Sequence, residues 1–405
     1  MKKKVIEKYA DVLIKTGVNL YPGQCLNISC SVHAYDFALV LAEKAYKTGA
    51  RFVNIDVSSN IHVRSRVENS DEKYLKYVPG YYSAADNEKI ADGWAFLYID
   101  NTEEQDVLSD TDASKIGELS KASKLSRKIL RENQMKDKVV WCVAAYPGPV
   151  WAEKVTGSDI ERLWEILVPI LKLDSEDPSE EWKKTCSLLH RRAEILNEHR
   201  FDTLRFEGPG TDLKIGLSEF SRWFSATSST PDGRVFLPNI PTEEIFTTPD
   251  FRRTEGRVKV TMPLKVMEKM VEGAWFEFKY GKVVNFGSDK GTDILEKYLQ
   301  MDEGASFAGE IALVDSSSSI YKSGMLFGSI LYDENASCHL ALGAGYPLTF
   351  SNSKEFTSED LQRQSGCNVS MVHTDFMIGS NEVSVTGMDK SGNRIEIIKS
   401  GKFVI

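Results

Sequence analysis

The chain has 405 residues, 41% of them hydrophobic, 27% charged and 10% aromatic. This is the composition of a folded protein with length for about two to three domains, and it excludes a wholly disordered or fibrous chain. Lys plus Arg number 50 against 59 Asp plus Glu, a formal net charge of -9, which argues against nucleic acid as a partner because such binders carry a basic footprint.

The opening residues, MKKKVIEKYADVLIK, set Val5, Ile6, Tyr9, Val12 and Leu13 at helical spacing, and Glu7, Lys8, Asp11 and Lys15 interrupt any signal-peptide core. The longest nearby apolar run, residues 37–42, is far short of the roughly 20 residues that a bilayer requires. A cytoplasmic protein with no membrane partner is therefore expected. The cysteines are scattered with no CxxC pair and read as reduced, buried residues.

Residues 26–29 read as a strand and 35–48 as a helix. Strands follow at 51–57 and 95–99, a charged helix at 113–131, and a β-rich run at 138–144. Strands alternating with helices of this length predict βαβ units and a parallel sheet. Helices at about 159–173 and 179–199 close the first half. After Arg200 the pattern becomes short strands at 203–206, 213–216, 256–262, 275–280 and 282–284, the last two split by Gly281 as a hairpin. One helix, 293–301, interrupts them, and strands at 382–386 and 394–398 end the chain. The predicted architecture is an α/β N-terminal domain (residues 1–200) followed by a β-rich α+β domain (residues 201–405).

The chemistry concentrates in the second half. Of six histidines, His339 and His373 alone lie there, both among carboxylates. In His373-Thr-Asp375 a strand would project both functional side chains to one face, where they can address one cation. Asp333-Glu-Asn-Ala-Ser-Cys-His339 sets an acidic pair ahead of the other histidine. Glu310 enters the apolar run 311–314, where a carboxylate is costly unless paired, protonated or metal-bound. Asn239-Ile-Pro-Thr-Glu-Glu244 adds adjacent carboxylates in a Pro-flanked turn. Mixed imidazole and carboxylate donors suit Zn²⁺, Co²⁺ or Mn²⁺, and so many carboxylates suit two ions sharing one of them. Pattern alone leaves scattered structural ion pairs as an open alternative. His33, His62, His190 and His199 show no comparable spacing and read as ordinary structural or solvated residues. Cys338 beside His339 reads as pointing to the opposite strand face.

The stretches TDLKIGL, FLPNIPTEEIFTTPD, GEIALV, LYDENASCHLALGAGYP and HTDFMIGS, with YPGQCLNI and AAYPGPVWAEKV upstream, together resemble the M29 family of metallo-aminopeptidases, the aminopeptidase T, AmpS and PepS type. The resemblance spans nearly the whole chain. It implies a homodimeric, metal-dependent aminopeptidase acting on peptides, with a site of two divalent ions, Zn²⁺ or Co²⁺, with Mn²⁺ or Mg²⁺ as alternatives. It further implies Glu244, Glu310, Glu334, His339, His373 and Asp375 as metal ligands, with Glu310 bridging, and Tyr346 close to the metals. Glu243 is assigned as general base or proton shuttle, in a role it could exchange with Glu244. The N-terminal domain would restrict access and dimerise. The sequence departs from the family pattern at residues 316–320 (SSSSI), at Gly328 and Ser329, and at Thr374, none of which removes a ligand. Two further readings are a non-catalytic peptide- or partner-binding protein that keeps the fold, and a metal-dependent hydrolase of another amide bond.

Overall fold

The structure is a computed structural model that describes residues 2–267 and 269–405. The chain forms two compact units, Met1–Lys183 with Thr227–Pro241, and Lys184–Ala226 with Thr242–Ile405. The first is a parallel α/β unit and the second a β-rich α+β unit, the class the sequence predicts.

In the first unit, β1 (Cys25–Ser31), β2 (Phe52–Ser58), β3 (Ala95–Asp100) and β4 (Trp141–Ala145) form a sheet of order β2-β1-β3-β4, with every neighbouring pair parallel. Helix α1 (Lys2–Val12) and helix α2 (Tyr35–Lys47) pack together. α2 buries Phe37, Ala38, Leu41 and Ala45, a stripe at helical spacing, and Phe37 stacks on Tyr9 of α1 with ring centroids 5.4 Å apart. The segment 227–241 joins this unit because Val143 and Ile240 exchange backbone hydrogen bonds with it and β4: Val143 N–H donates to Pro238 O at 2.7 Å, and Ile240 N–H donates to Val143 O at 3.0 Å.

One predicted helix is corrected. The charged stretch 113–131 forms two helices, Ala113–Ser126 and Lys128–Met135. The break falls at Arg127, whose guanidinium turns in to make a two-pronged ion pair with Asp86, Nε to Oδ2 at 2.8 Å and Nη2 to Oδ1 at 2.9 Å. Asp86 is only 4% exposed, so its buried charge needs the partner that Arg127 supplies at this junction.

The second unit holds an eight-stranded sheet in the order Lys282–Gly287, Trp275–Lys279, Thr254–Lys259, Thr211–Gly216, Thr203–Gly208, Ser384–Met388, Arg394–Lys399, Lys402–Phe403, antiparallel throughout. The expected hairpin is present. Tyr280 and Gly281 both take positive φ, 52° and 80°, as a two-residue turn that follows strand twist requires.

A second sheet in this unit carries the chemistry. It consists of β5 (Glu244–Thr247), β6 (Ala308–Val314), β7 (His339–Gly343) and β8 (His373–Met377), ordered β8-β7-β6-β5 and antiparallel. β6 and β7 are buried along their whole length. β6 is bulged between Ala308 and Glu310. Gly309 sits in that bulge because a Cβ there would lie 2.2 Å from Ala344 O. Among the described residues, no helix is long and apolar enough to cross a membrane.

Candidate metal centre

Register gathers the predicted residues. Glu310 of β6 is opposite Ala341 of β7, and Ala341 is opposite Asp375 of β8. His339 is opposite Ala312, His373 opposite Gly343, and Glu244 opposite Val314. Directly opposed residues share a face, and so do residues two apart along a strand. Glu244, Glu310, His339, His373 and Asp375 therefore project from one face of this sheet. The positions between them are Ala312, Ala341 and Gly343, whose small size leaves room for the larger side chains to converge.

They do converge. Nε2 of His339 lies 3.3 Å from Glu244 Oε2 and 4.0 Å from Asp375 Oδ1. Nε2 of His373 lies 3.2 Å from Glu310 Oε2 and 3.4 Å from Asp375 Oδ1. Two groups each bring their ligand atoms within 4.8 Å of one another, Glu244 with Glu310 and His339, and Glu310 with His373 and Asp375. Glu310 belongs to both.

The other predicted residues stand around this core. Glu334 lies outside both groups, in the turn Glu334–Ala336 that leads into β7. Its carboxyl is held well above the usual range by burial and then by the charges of Glu244, Asp375 and Glu310, so it belongs to the same electrostatic site. Glu243 is half-buried immediately before β5. Its backbone N–H donates to Asn335 Oδ1 at 2.6 Å. Tyr346 places its hydroxyl 3.3 Å from His373 Nε2.

Hydrogen bonds from outside the cluster orient both imidazoles. Nδ1 of His373 donates to Ala344 O at 2.7 Å, and Nδ1 of His339 lies 3.3 Å from Ser337 O. A carbonyl only accepts, so the proton sits on Nδ1 and Nε2 is left to face the carboxylates. The loop carrying Ala344 is in turn held by Asn368, which donates to Gly343 O at 2.6 Å and Gly304 O at 2.8 Å. Asn335 and Asn368, both fully buried, are supporting residues that sequence reasoning missed. Asn335 lies inside the DENASCH motif, but nothing in its spacing marks an amide as a strut.

The electrostatics are those of a cluster that favours a bound cation. Burial pushes Glu244 up to about 8, against the favourable charge of His339. Burial likewise raises Glu310, although His373 opposes it. Burial also acts to raise Asp375, but the two imidazoles outweigh it and hold Asp375 low. For His373, burial disfavours the charged ring, yet Asp375 and Glu310 raise it well above the ordinary value. Two buried oxygens, Glu244 Oε2 and Asp375 Oδ1, accept no hydrogen bond, an arrangement that costs free energy unless something positive fills the gap. Glu244 Oε2 lies 3.3 Å from His339 Nε2, and Asp375 Oδ1 lies 3.4 Å from His373 Nε2. The donor set fits hard or borderline divalent cations.

The family profile described as thermophilic metalloprotease (M29) matches residues 2–403. The chain belongs to the M29 metalloprotease family. Among M29 relatives, aminopeptidase T of Thermus aquaticus is 34% identical over 405 residues, covering 99% of this chain and 98% of that protein. Aminopeptidase PepS of Streptococcus thermophilus is 35% identical over 409 residues, covering 100% and 98%. The solved structure of wild-type AmpT from Thermus thermophilus superposes with a TM-score of 0.92 at 32% identity, covering the whole of both chains. The M29 fold is thus shared from end to end.

The remaining histidines and cysteines lie outside the cluster. His190 pairs with Glu194 at 3.1 Å on an exposed helix face. Cys338 exchanges hydrogen bonds with the backbone of Val314 on the far side of β7 from the cluster, Sγ to O and N to Sγ both at 3.4 Å, so it holds strands together. All six cysteines are buried and none is in a disulfide.

Proposed function

We propose that the protein is a metal-dependent aminopeptidase that removes N-terminal amino acids from peptides. Its ligands for two divalent ions, Zn²⁺ or Co²⁺, would be Glu244, Glu310, Glu334, His339, His373 and Asp375. The observation that carries this reading is the pair of ligand groups that share Glu310, each with one orphaned oxygen, on Glu244 and on Asp375. The aminopeptidase relatives, similar over their full length, support the choice of bond.

Bound divalent ions supply Lewis-acid chemistry, acidifying a water and polarising the scissile carbonyl. The chain's own groups do the rest. Glu243 accepts the water's proton on a carboxylate oxygen and returns it to the departing amine, as base and then acid. Its place is set by the hydrogen bond from its N–H to Asn335. Tyr346 keeps its proton, because burial and the charges of Glu310 and Asp375 push its phenol well above the ordinary value. It can therefore donate to the oxygen on which negative charge develops. His339 and His373 are held in one tautomer by their Nδ1 contacts, which turns Nε2 into the cluster. A homodimer working in the cytoplasm completes the proposal, and light scattering tests its oligomeric state.

Purified protein, stripped with chelator and reloaded with Zn²⁺ or Co²⁺, is expected to bind two ions per chain and to release p-nitroaniline from aminoacyl-p-nitroanilides. Glu310→Ala and His373→Ala are expected to abolish turnover in folded protein. Fewer than one ion bound per chain, or no cleavage of any N-terminal residue after reloading, overturns the proposal.

A further inference from the structure

A row of aromatic rings continues the sheet face that bears the acidic cluster. Phe246 is two residues along β5 from Glu244 and is opposite Ala312 of β6, so it shares that face. Beyond the edge of β5, Phe224 forms an antiparallel bridge with Phe246. Their backbones exchange both hydrogen bonds, N–H of Phe224 to Phe246 O at 2.9 Å and the reverse at 3.0 Å. The rings lie side by side with centroids 6.3 Å apart. On the other flank, Tyr346 meets Phe246 edge-on at 5.9 Å and lies 5.0 Å from the His373 ring. The row Phe224, Phe246, Tyr346 thus runs continuously to a proposed metal ligand.

The exposure of these rings separates them from the core. The unit has fully buried aromatics, such as Phe350, Phe327 and Tyr332, each at or below 1% exposed. Phe224, Phe246 and Tyr346 keep accessible surface, and so does the His373 side chain at 21%. They form a half-buried apolar wall beside a polar cluster, tied together by the backbone bridge.

We infer that Phe224, Phe246 and Tyr346 form the subsite for the side chain of the substrate's first residue, and that this subsite selects apolar and aromatic N-terminal residues. The inference rests on the aminopeptidase reading above. An apolar side chain laid on this wall leaves water, and each methylene so buried changes selectivity by roughly 10-fold or more. A charged side chain must give up its hydration to lie on these rings.

The test uses the metal-loaded, full-length protein and the p-nitroanilides of Phe, Leu, Ala, Arg and Glu. The expected result is kcat/KM for Phe and Leu at least about 10-fold above that for Ala, Arg and Glu. Phe224→Ala and Phe246→Leu are expected to shrink the Phe-to-Ala ratio by about 10-fold, where a loss of folding would lower both values together. Calorimetry with free L-phenylalanine and L-arginine reads the subsite without turnover, and L-phenylalanine should bind the tighter in the parent protein and lose that advantage in Phe224→Ala. Equal selectivity in the parent, a preference for Arg, or an unchanged ratio in both variants overturns the subsite while leaving an active aminopeptidase. Cleavage of none of the five overturns the aminopeptidase reading instead.

Discussion

Glu310 and His373 lie on strands that are not neighbours, β6 and β8, and their side chains meet at 3.2 Å over the backbone of β7. The contact exists because the β7 positions beneath it are Ala341 and Gly343. A larger residue at either position would stand in the space that the carboxylates and imidazoles share.

This makes Ala341 a sharp probe. Ala341 is fully buried and lies directly between Glu310 and Asp375. Ala341→Leu is expected to destabilise the fold by about 1–3 kcal/mol through overpacking and to lower metal affinity by an order of magnitude or more, with every ligand intact. Denaturant midpoints and metal titration by calorimetry measure the two effects. Unchanged metal affinity in Ala341→Leu would show that the ligands do not converge over β7.

Metal loading should stabilise the second unit. Glu244 Oε2 and Asp375 Oδ1 are buried without donors, so a cation binds the folded state and not the unfolded one. At free metal about 100-fold above Kd, linkage gives about 2.7 kcal/mol, seen as a rise in melting temperature that chelator reverses. Glu310→Gln, which removes the carboxylate common to both groups, should abolish most of that rise. A parent protein whose melting is insensitive to metal and chelator would contradict it.

A pH dependence follows from Asp302. Burial works to raise its carboxyl, but hydrogen bonds from Met371 N–H, the Ser370 hydroxyl and Ala305 N–H prevail and hold it below 3.8. A carboxylate lowered on folding contributes stability that is present above its unfolded value and lost as pH falls through the folded one. Asp302 thereby fastens the approach to β8 at neutral pH. Asp302→Asn should melt lower than the parent at neutral pH, and the gap should close below about pH 4. Thermal melts across that range decide it, and a gap that stays constant to low pH would rule the linkage out.

The Arg127–Asp86 ion pair lies at the junction of the two helices. Arg127→Ala leaves Asp86, which is 4% exposed, without its guanidinium. A loss of about 1.5–3 kcal/mol is expected, and Asp86→Asn with Arg127→Ala together should cost less than Arg127→Ala alone. The metal content of the second unit should not change. A double-mutant cycle by urea denaturation provides the measurement, and strictly additive losses would show that the pair is not coupled.

Much of the candidate site is legible in the residues alone. His373-Thr-Asp375 has the period of a strand face, and β8 forms there. Glu310 stands at the head of an apolar run that could not bury it unpaired, and β6 is buried from end to end. Such readings succeed because alternation along one strand is a local property, set by backbone geometry within a few residues. Local pattern fails where a distant partner decides. The stretch 113–131 has continuous helical periodicity, yet Arg127, which pairs with Asp86, departs from helical geometry at φ −99° and ψ 16°.

The sequence by itself determined the kinds of element, the order of a parallel α/β region before a β-rich one, and the residue types able to hold divalent cations. Tertiary structure alone decided which of them meet. The register of β5, β6, β7 and β8 converts positions 244, 310, 339, 373 and 375 into one face. It also sets Ala341 and Gly343 beneath them, and an isolated bridge to Phe246 brings Phe224 to the sheet's edge. The physical reason is that strand pairing joins residues far apart in the chain, and a shift of one residue in any pair would turn its side chains to the opposite face.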